Sequence, residues 1–201
     1  MQRVQGVRSV QRGLWAARQA SGERQAAALP ALGRVPDFTL TNRDGRTVRR
    51  ADLAGAPWIA DFVFTRCMSS CPLLSARLAR LDGSLPPGPG FRLVSFSVDP
   101  AYDTPAVLQR YARSFSASDR WLFLTGGGEQ IQRLSRQGFK LALEAGSGGG
   151  TGRGSGTEAI LHSTRFVLVD AGGVIRGSYP ALEPEALRRL AADARELAAA
   201  R

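Results

Sequence analysis

The sequence predicts an α/β sandwich in a single domain: a mixed sheet flanked by helices. Three observations carry this. Apolar runs of strand length at 58–64, 91–98 and 121–125 alternate with segments of helical period. Two further strands, joined by a turn at Asp170-Ala171-Gly172-Gly173, are followed by a closing helix. And 201 residues with 43% hydrophobic content suffice for one sizeable core.

Residues 35–42 read as a short strand ending at the turn Asn42-Arg43-Asp44-Gly45, with 46–48 returning as the second arm of a hairpin. The run 58–64 is apolar except for Asp61, which suits a central strand covered on both faces. After it comes a helix over about 72–81, where Leu74, Leu78 and Leu81 stand at i, i+4 and i+7. The strand 91–98 follows a Pro/Gly turn. Asp103-Thr104-Pro105 then opens a helix to about Ser114, with proline in its first turn. Next come a strand at 121–125, a helix at 129–137, a glycine-rich loop at 146–157, strands at 160–169 and 174–179, and a last helix at 187–200. This βαβ…ββα order is that of a thioredoxin-like sandwich. Residues 1–32, rich in arginine with Glu23 as their one acid, are expected to form a basic disordered tail ahead of a domain at 33–201.

The net charge of +10 is spread thinly and is not gathered with aromatics, and no recognition motif for nucleic acid is present. No stretch approaches the ~20 apolar residues that span a bilayer, and no signal-peptide core is visible. The glycine-rich loop lacks the Gly-Lys-Ser/Thr ending of a phosphate loop, so it is read as a flexible connector standing just before His162. Tyr102, Trp121 and Phe139 are read as core or pocket wall.

Cys67 and Cys71 are the chain's two cysteines and His162 is its one histidine. Two thiols and an imidazole form an S₂N set that suits copper better than a hard cation. If Cys67 begins the helix that Cys71 continues, both sulfurs share one face, within the ~4.4–6.8 Å Cα window of a disulfide. The helix N-terminus and Arg66 would then favour thiolate over thiol. A disulfide closing so short a loop would constrain the unfolded chain only slightly, so a plain staple explains little. A lone histidine in an apolar strand, by itself, is commonly a packed or surface residue.

The segment Phe62-Val63-Phe64-Thr65-Arg66-Cys67-Met68-Ser69-Ser70-Cys71-Pro72 resembles the F-x-F-T-x-C-x-x-x-C-P signature of the Sco/SenC proteins. Ser97-Val98-Asp99-Pro100-Ala101-Tyr102-Asp103-Thr104-Pro105 is similar to that family's S-V-D-P-x-x-D-T-P segment. Leu161-His162-Ser163-Thr164, with the strands after it, is similar to the family's metal-histidine region. The resemblance runs over about 33–198 in the family's order. It departs in Met-Ser-Ser between the cysteines, where Pro-Asp-x is common, and in showing no membrane anchor.

The resemblance implies a copper ion held by Cys67, Cys71 and His162. It implies maturation of the copper centre of a respiratory cytochrome oxidase, with the oxidase's copper-containing subunit or other copper chaperones as partners. It also implies a place on the outer side of the inner membrane. Asp99 and Asp103 correspond to acidic positions near the site, and the chain is taken as a monomer. Two other readings follow from the residues. In one, a thiol–disulfide oxidoreductase uses Cys67 as attacking thiolate and Cys71 as resolving thiol, with no need of His162. In the other, a peroxidase of the peroxiredoxin type, Thr65 stands two residues before Cys67 where three are expected, and the upstream proline is absent.

Overall fold

The structure, a computed structural model, describes residues 29–68, 70–85, 90–139 and 164–199. Its strands are β1 (Gly33–Arg34), β2 (Thr39–Asn42), β3 (Thr47–Arg49), β4 (Trp58–Val63), β5 (Arg92–Ser97), β6 (Trp121–Thr125), β7 (Arg165–Val169) and β8 (Val174–Pro180). They form one sheet in the order β1-β8-β7-β4-β5-β6-β2-β3. The neighbours β4, β5 and β6 are parallel, and the remaining pairings are antiparallel, so the sheet is mixed as the sequence predicts. The helices are α1 (Ser70–Ser84), α2 (Pro105–Ser114), α3 (Gly128–Arg133) and α4 (Pro184–Ala199).

Side chains alternate along each strand, and the two resulting faces bury different partners. One face sets Ile59, Leu93, Trp121, Phe123, Phe166 and Leu168 against Leu74, Leu78 and Leu81 of α1, Leu108 and Ala112 of α2, and Leu190 and Ala194 of α4. The other sets Trp58, Phe62, Val94 and Phe96 against Ile131 of α3 and the segment that follows it. There the helix widens into one π turn (Leu134–Gly138) and delivers Phe139 into the core, 5.3 Å from the Phe62 ring. Full burial of each such side chain contributes about 1.5–3 kcal/mol.

Most predicted elements stand where the sequence places them, with differences at their ends. The helix α1 starts at Ser70, so Cys67 precedes it and does not begin it. The helix α4 starts at Pro184, three residues before the expected 187, because proline fits a first turn. The short edge strand β1 is not foreseen. Its pairing with β8, together with Leu32 N–H donating to the Ile175 carbonyl (2.9 Å) and Arg176 to the Leu29 carbonyl (3.0 Å), joins 29–32 to the domain. Composition places these four residues in the tail, and their backbone hydrogen bonds tie them to the edge of the sheet. Residues 1–28, the glycine-rich loop at 146–157 and His162 lie outside the described residues. No helix among the described residues is long and apolar enough to cross a membrane.

Candidate metal and redox centre

The site grows from the carboxyl ends of two adjacent parallel strands, the usual place for chemistry on an open α/β sheet. Because β4 and β5 pair in register from Trp58↔Arg92 to Val63↔Ser97, the loops leaving them emerge side by side. Val98 N–H continues the pairing onto the Val63 carbonyl at 2.9 Å. The first loop carries Thr65, Arg66, Cys67 and Met68; the second carries Asp99, Tyr102 and Asp103.

Asp103 clamps the two loops together. It is fully buried, and its carboxylate accepts the Thr65 backbone N–H (3.2 Å), the Thr65 hydroxyl (2.5 Å) and the Ser97 hydroxyl (2.6 Å). Thr104 caps α2 immediately afterwards by accepting Val107 N–H. Asp99 reaches outward and accepts from Arg66 Nε and Nη2 at 3.0 and 2.5 Å, while the Arg66 guanidinium lies 4.4 Å from the centre of the Tyr102 ring. The charge expected to act on Cys67 is therefore tied into an ion pair and a cation–π contact. Tyr102, predicted as core or pocket wall, is a surface residue in this arrangement. Trp121 and Phe139 are buried core as predicted.

Cys67 is 8% exposed and Cys71 4%, and neither takes part in a disulfide. Cys67 N–H donates to the Phe64 carbonyl at 3.2 Å, closing a turn that aims its side chain at the start of α1. There the Cys71 backbone N–H donates to Cys67 Sγ at 3.5 Å, so sulfur occupies the place that a capping oxygen takes in other helices. Val63 packs with both cysteines, and Phe64 and Tyr111 close round them. Among the described residues no three of histidine, cysteine, aspartate and glutamate gather into a metal-sized cluster; the third expected ligand, His162, falls outside them.

The sequence reading expects a thiolate at this helix start, but burial overrides the helix dipole at Cys71. Desolvation pushes its thiol up to about 12; the hydrogen bond to Cys67 and the negative charges of Cys67 and Asp61 add to this, against a lowering contact with the Phe64 backbone. Asp61 is noted in the sequence as the polar exception in its strand, but is given no role there. Its side chain stands on the three-helix face of β4, completely buried. Oδ1 accepts the Ser95 hydroxyl at 2.5 Å, Ser95 in turn accepts Trp121 Nε1–H at 2.9 Å, and Oδ2 has no hydrogen-bond partner. Burial raises its carboxyl to about 7, opposed by the Ser95 hydrogen bond. The signal was in the sequence: an aspartate inside an otherwise apolar central strand is a buried charge that needs an explanation.

Comparison with known proteins agrees with this geometry. Residues 27–199 match the SCO1/SenC family. The chain is 33% identical over 152 residues to the SCO1 protein homolog of Bacillus subtilis, covering 74% of this chain and 75% of that one. Its fold matches BsSco, a member of the Sco family of cytochrome c oxidase assembly proteins in which a disulfide switch was identified. That match has a TM-score of 0.70 and 29% identity over 86% of this chain and 98% of the other. Yeast Sco1 with copper bound shares the fold, with a TM-score of 0.61 and 22% identity, over 83% of this chain and 94% of that one. With thioredoxin-like architecture, C-x-x-x-C pair and S-V-D-P loop in their expected places, the chain belongs to the SCO1/SenC family.

Proposed function

We propose that the protein binds copper as cargo through Cys67, Cys71 and His162 and supplies it, or reducing equivalents, during maturation of the copper centre of a respiratory cytochrome oxidase. One observation carries the reading: two thiols meet where a single helix begins, Cys67 Sγ just ahead of it accepting the Cys71 N–H. Paired thiols are soft donors suited to copper, and their own oxidation and reduction can switch that donor set off and on. The family's ties to cytochrome oxidase assembly support this direction. The partner is the oxidase's copper-containing subunit or another copper chaperone. The location is the cell envelope, where dithiol–disulfide switching takes place against an oxidising surround. We take the protein to act as a monomer.

Each group has a part in this. The Asp103 clamp fixes the loop that carries Cys67, and the start of α1 fixes Cys71, so the protein presents a preformed pair of sulfurs. Low exposure of both thiols keeps bulk oxidants and water away from the cargo. His162 completes the set as a neutral imidazole donor.

A second reading is favoured by the same sulfur contact: Cys67 attacks a target disulfide and Cys71 resolves the mixed disulfide, leaving target dithiol and a Cys67–Cys71 disulfide. The two roles are compatible, since a target's cysteines must be reduced before they can take metal. The test is anaerobic Cu(I) binding to the dithiol and disulfide forms side by side. One copper per chain on the dithiol form and none on the disulfide form is expected. Equal binding to both forms would refute the cysteine-based site.

A further inference from the structure

Met68 is 97% exposed, against 8% and 4% for the thiols on either side of it in the sequence. Apart from Met1 it is the chain's single methionine. A methionine left in water forgoes about 1.5–3 kcal/mol of burial, and Met68 is almost wholly in solvent. What the position does offer is a soft, polarizable and neutral thioether, exposed to solvent beside Cys67. Its three rotatable bonds let the sulfur swing across the ~3.8 Å that separates adjacent Cα atoms, toward Cys67. Arg66, on the same loop, is paired with Asp99 and stacks on the Tyr102 ring, so its charge is partly offset.

We propose that Met68 is a transit ligand: its thioether takes Cu(I) from the incoming carrier and passes it to Cys67. This rests on the copper reading above. In the exchange a bond from the carrier's donor to copper is replaced by one from Met68 sulfur. That bond then breaks as Cys67 Sγ binds and releases its thiol proton to water. Copper stays Cu(I) throughout, so no oxidant or reductant is needed. The thioether is absent from the final donor set, so it acts on the rate of loading and leaves the equilibrium unchanged.

The test follows anaerobic transfer of Cu(I) from its coloured bicinchoninate complex to the reduced protein by stopped-flow absorbance, with equilibrium affinity measured by competition in the same buffer. Met68→Leu keeps the size and apolar character of the side chain at an exposed position, so the fold is retained. Loading about tenfold slower, equivalent to about 1.4 kcal/mol in the barrier, with unchanged affinity is the expected result. Met68→Ser should be slowed equally, whereas selenomethionine at this position should load at least as fast as methionine. An unchanged rate in Met68→Leu would overturn the proposal while leaving the copper site intact, and so would a loss of affinity that matches the loss of rate. Wild-type protein that takes up no copper would overturn the copper reading and this inference together.

Discussion

Among individual residues, burial decides more than sequence neighbours do. Cys71 lies at a helix start, where the dipole lowers a thiol's pKa by a modest amount, yet desolvation wins and keeps it protonated at neutral pH. Brief treatment of the reduced protein with iodoacetamide at pH 8 should therefore carboxamidomethylate Cys67 before Cys71, with Cys71 reacting readily only in denaturant. Peptide mass spectrometry that found Cys71 modified first would contradict this account of the pair. Asp61 gives the complementary pH experiment. Its folded-state value of about 7 lies above the ordinary 3.8, so between these pH values the folded protein holds a proton that the unfolded chain has released. Its contribution to stability therefore falls as pH rises through that window, reaching a penalty on the order of 4 kcal/mol above pH 7. Asp61→Asn should remove most of this loss, bringing the urea midpoints at pH 5 and pH 8 closer together than in the wild type. Equal pH dependence in both proteins would rule out the buried carboxylic acid.

At the scale of elements, the site depends on two strand-end loops being locked together, and one carboxylate does most of the locking. Asp103→Ala strands the Thr65 N–H, the Thr65 hydroxyl and the Ser97 hydroxyl at once. The expected cost is about 3 kcal/mol in urea unfolding, together with weaker copper binding as the Cys67 loop loosens. A variant with full stability and full affinity would show that the clamp is dispensable. The motif Asp103-Thr104-Pro105 announces the start of α2, and the structure puts that start at Pro105. That the same aspartate reaches back 38 residues to Thr65 is not readable from local sequence, because it depends on which strands are neighbours. The start of α1 shows the opposite limit. The i, i+4 spacing suggests one continuous helix through both cysteines, but Cys67 is used outside the helix, where its sulfur accepts the Cys71 N–H. Periodicity reports which residues share a face and is silent on which of them serves as the cap.

For the whole molecule, the fold was legible because its strongest signals are physical necessities. The apolar strands at 58–64, 91–98 and 121–125 need cover on both faces, and the helix-period segments between them provide it. Hidden from sequence were the contributions of weak pairings, such as the two-residue β1 that fastens the chain's first described segment to β8. The thiol pair of the candidate site was equally legible, since two cysteines four apart after a central strand leave few alternatives. The proposed third ligand, His162, is named from its chemistry and the family resemblance, and a direct measurement tests it. That measurement is an anaerobic Cu(I) titration of the reduced protein against a competing chelator, run beside His162→Ala. One tightly held copper per chain, weakened at least tenfold in the variant, is the predicted result; identical affinities, with the thiols still redox-active, would contradict it and make this a dithiol reductase on the same fold.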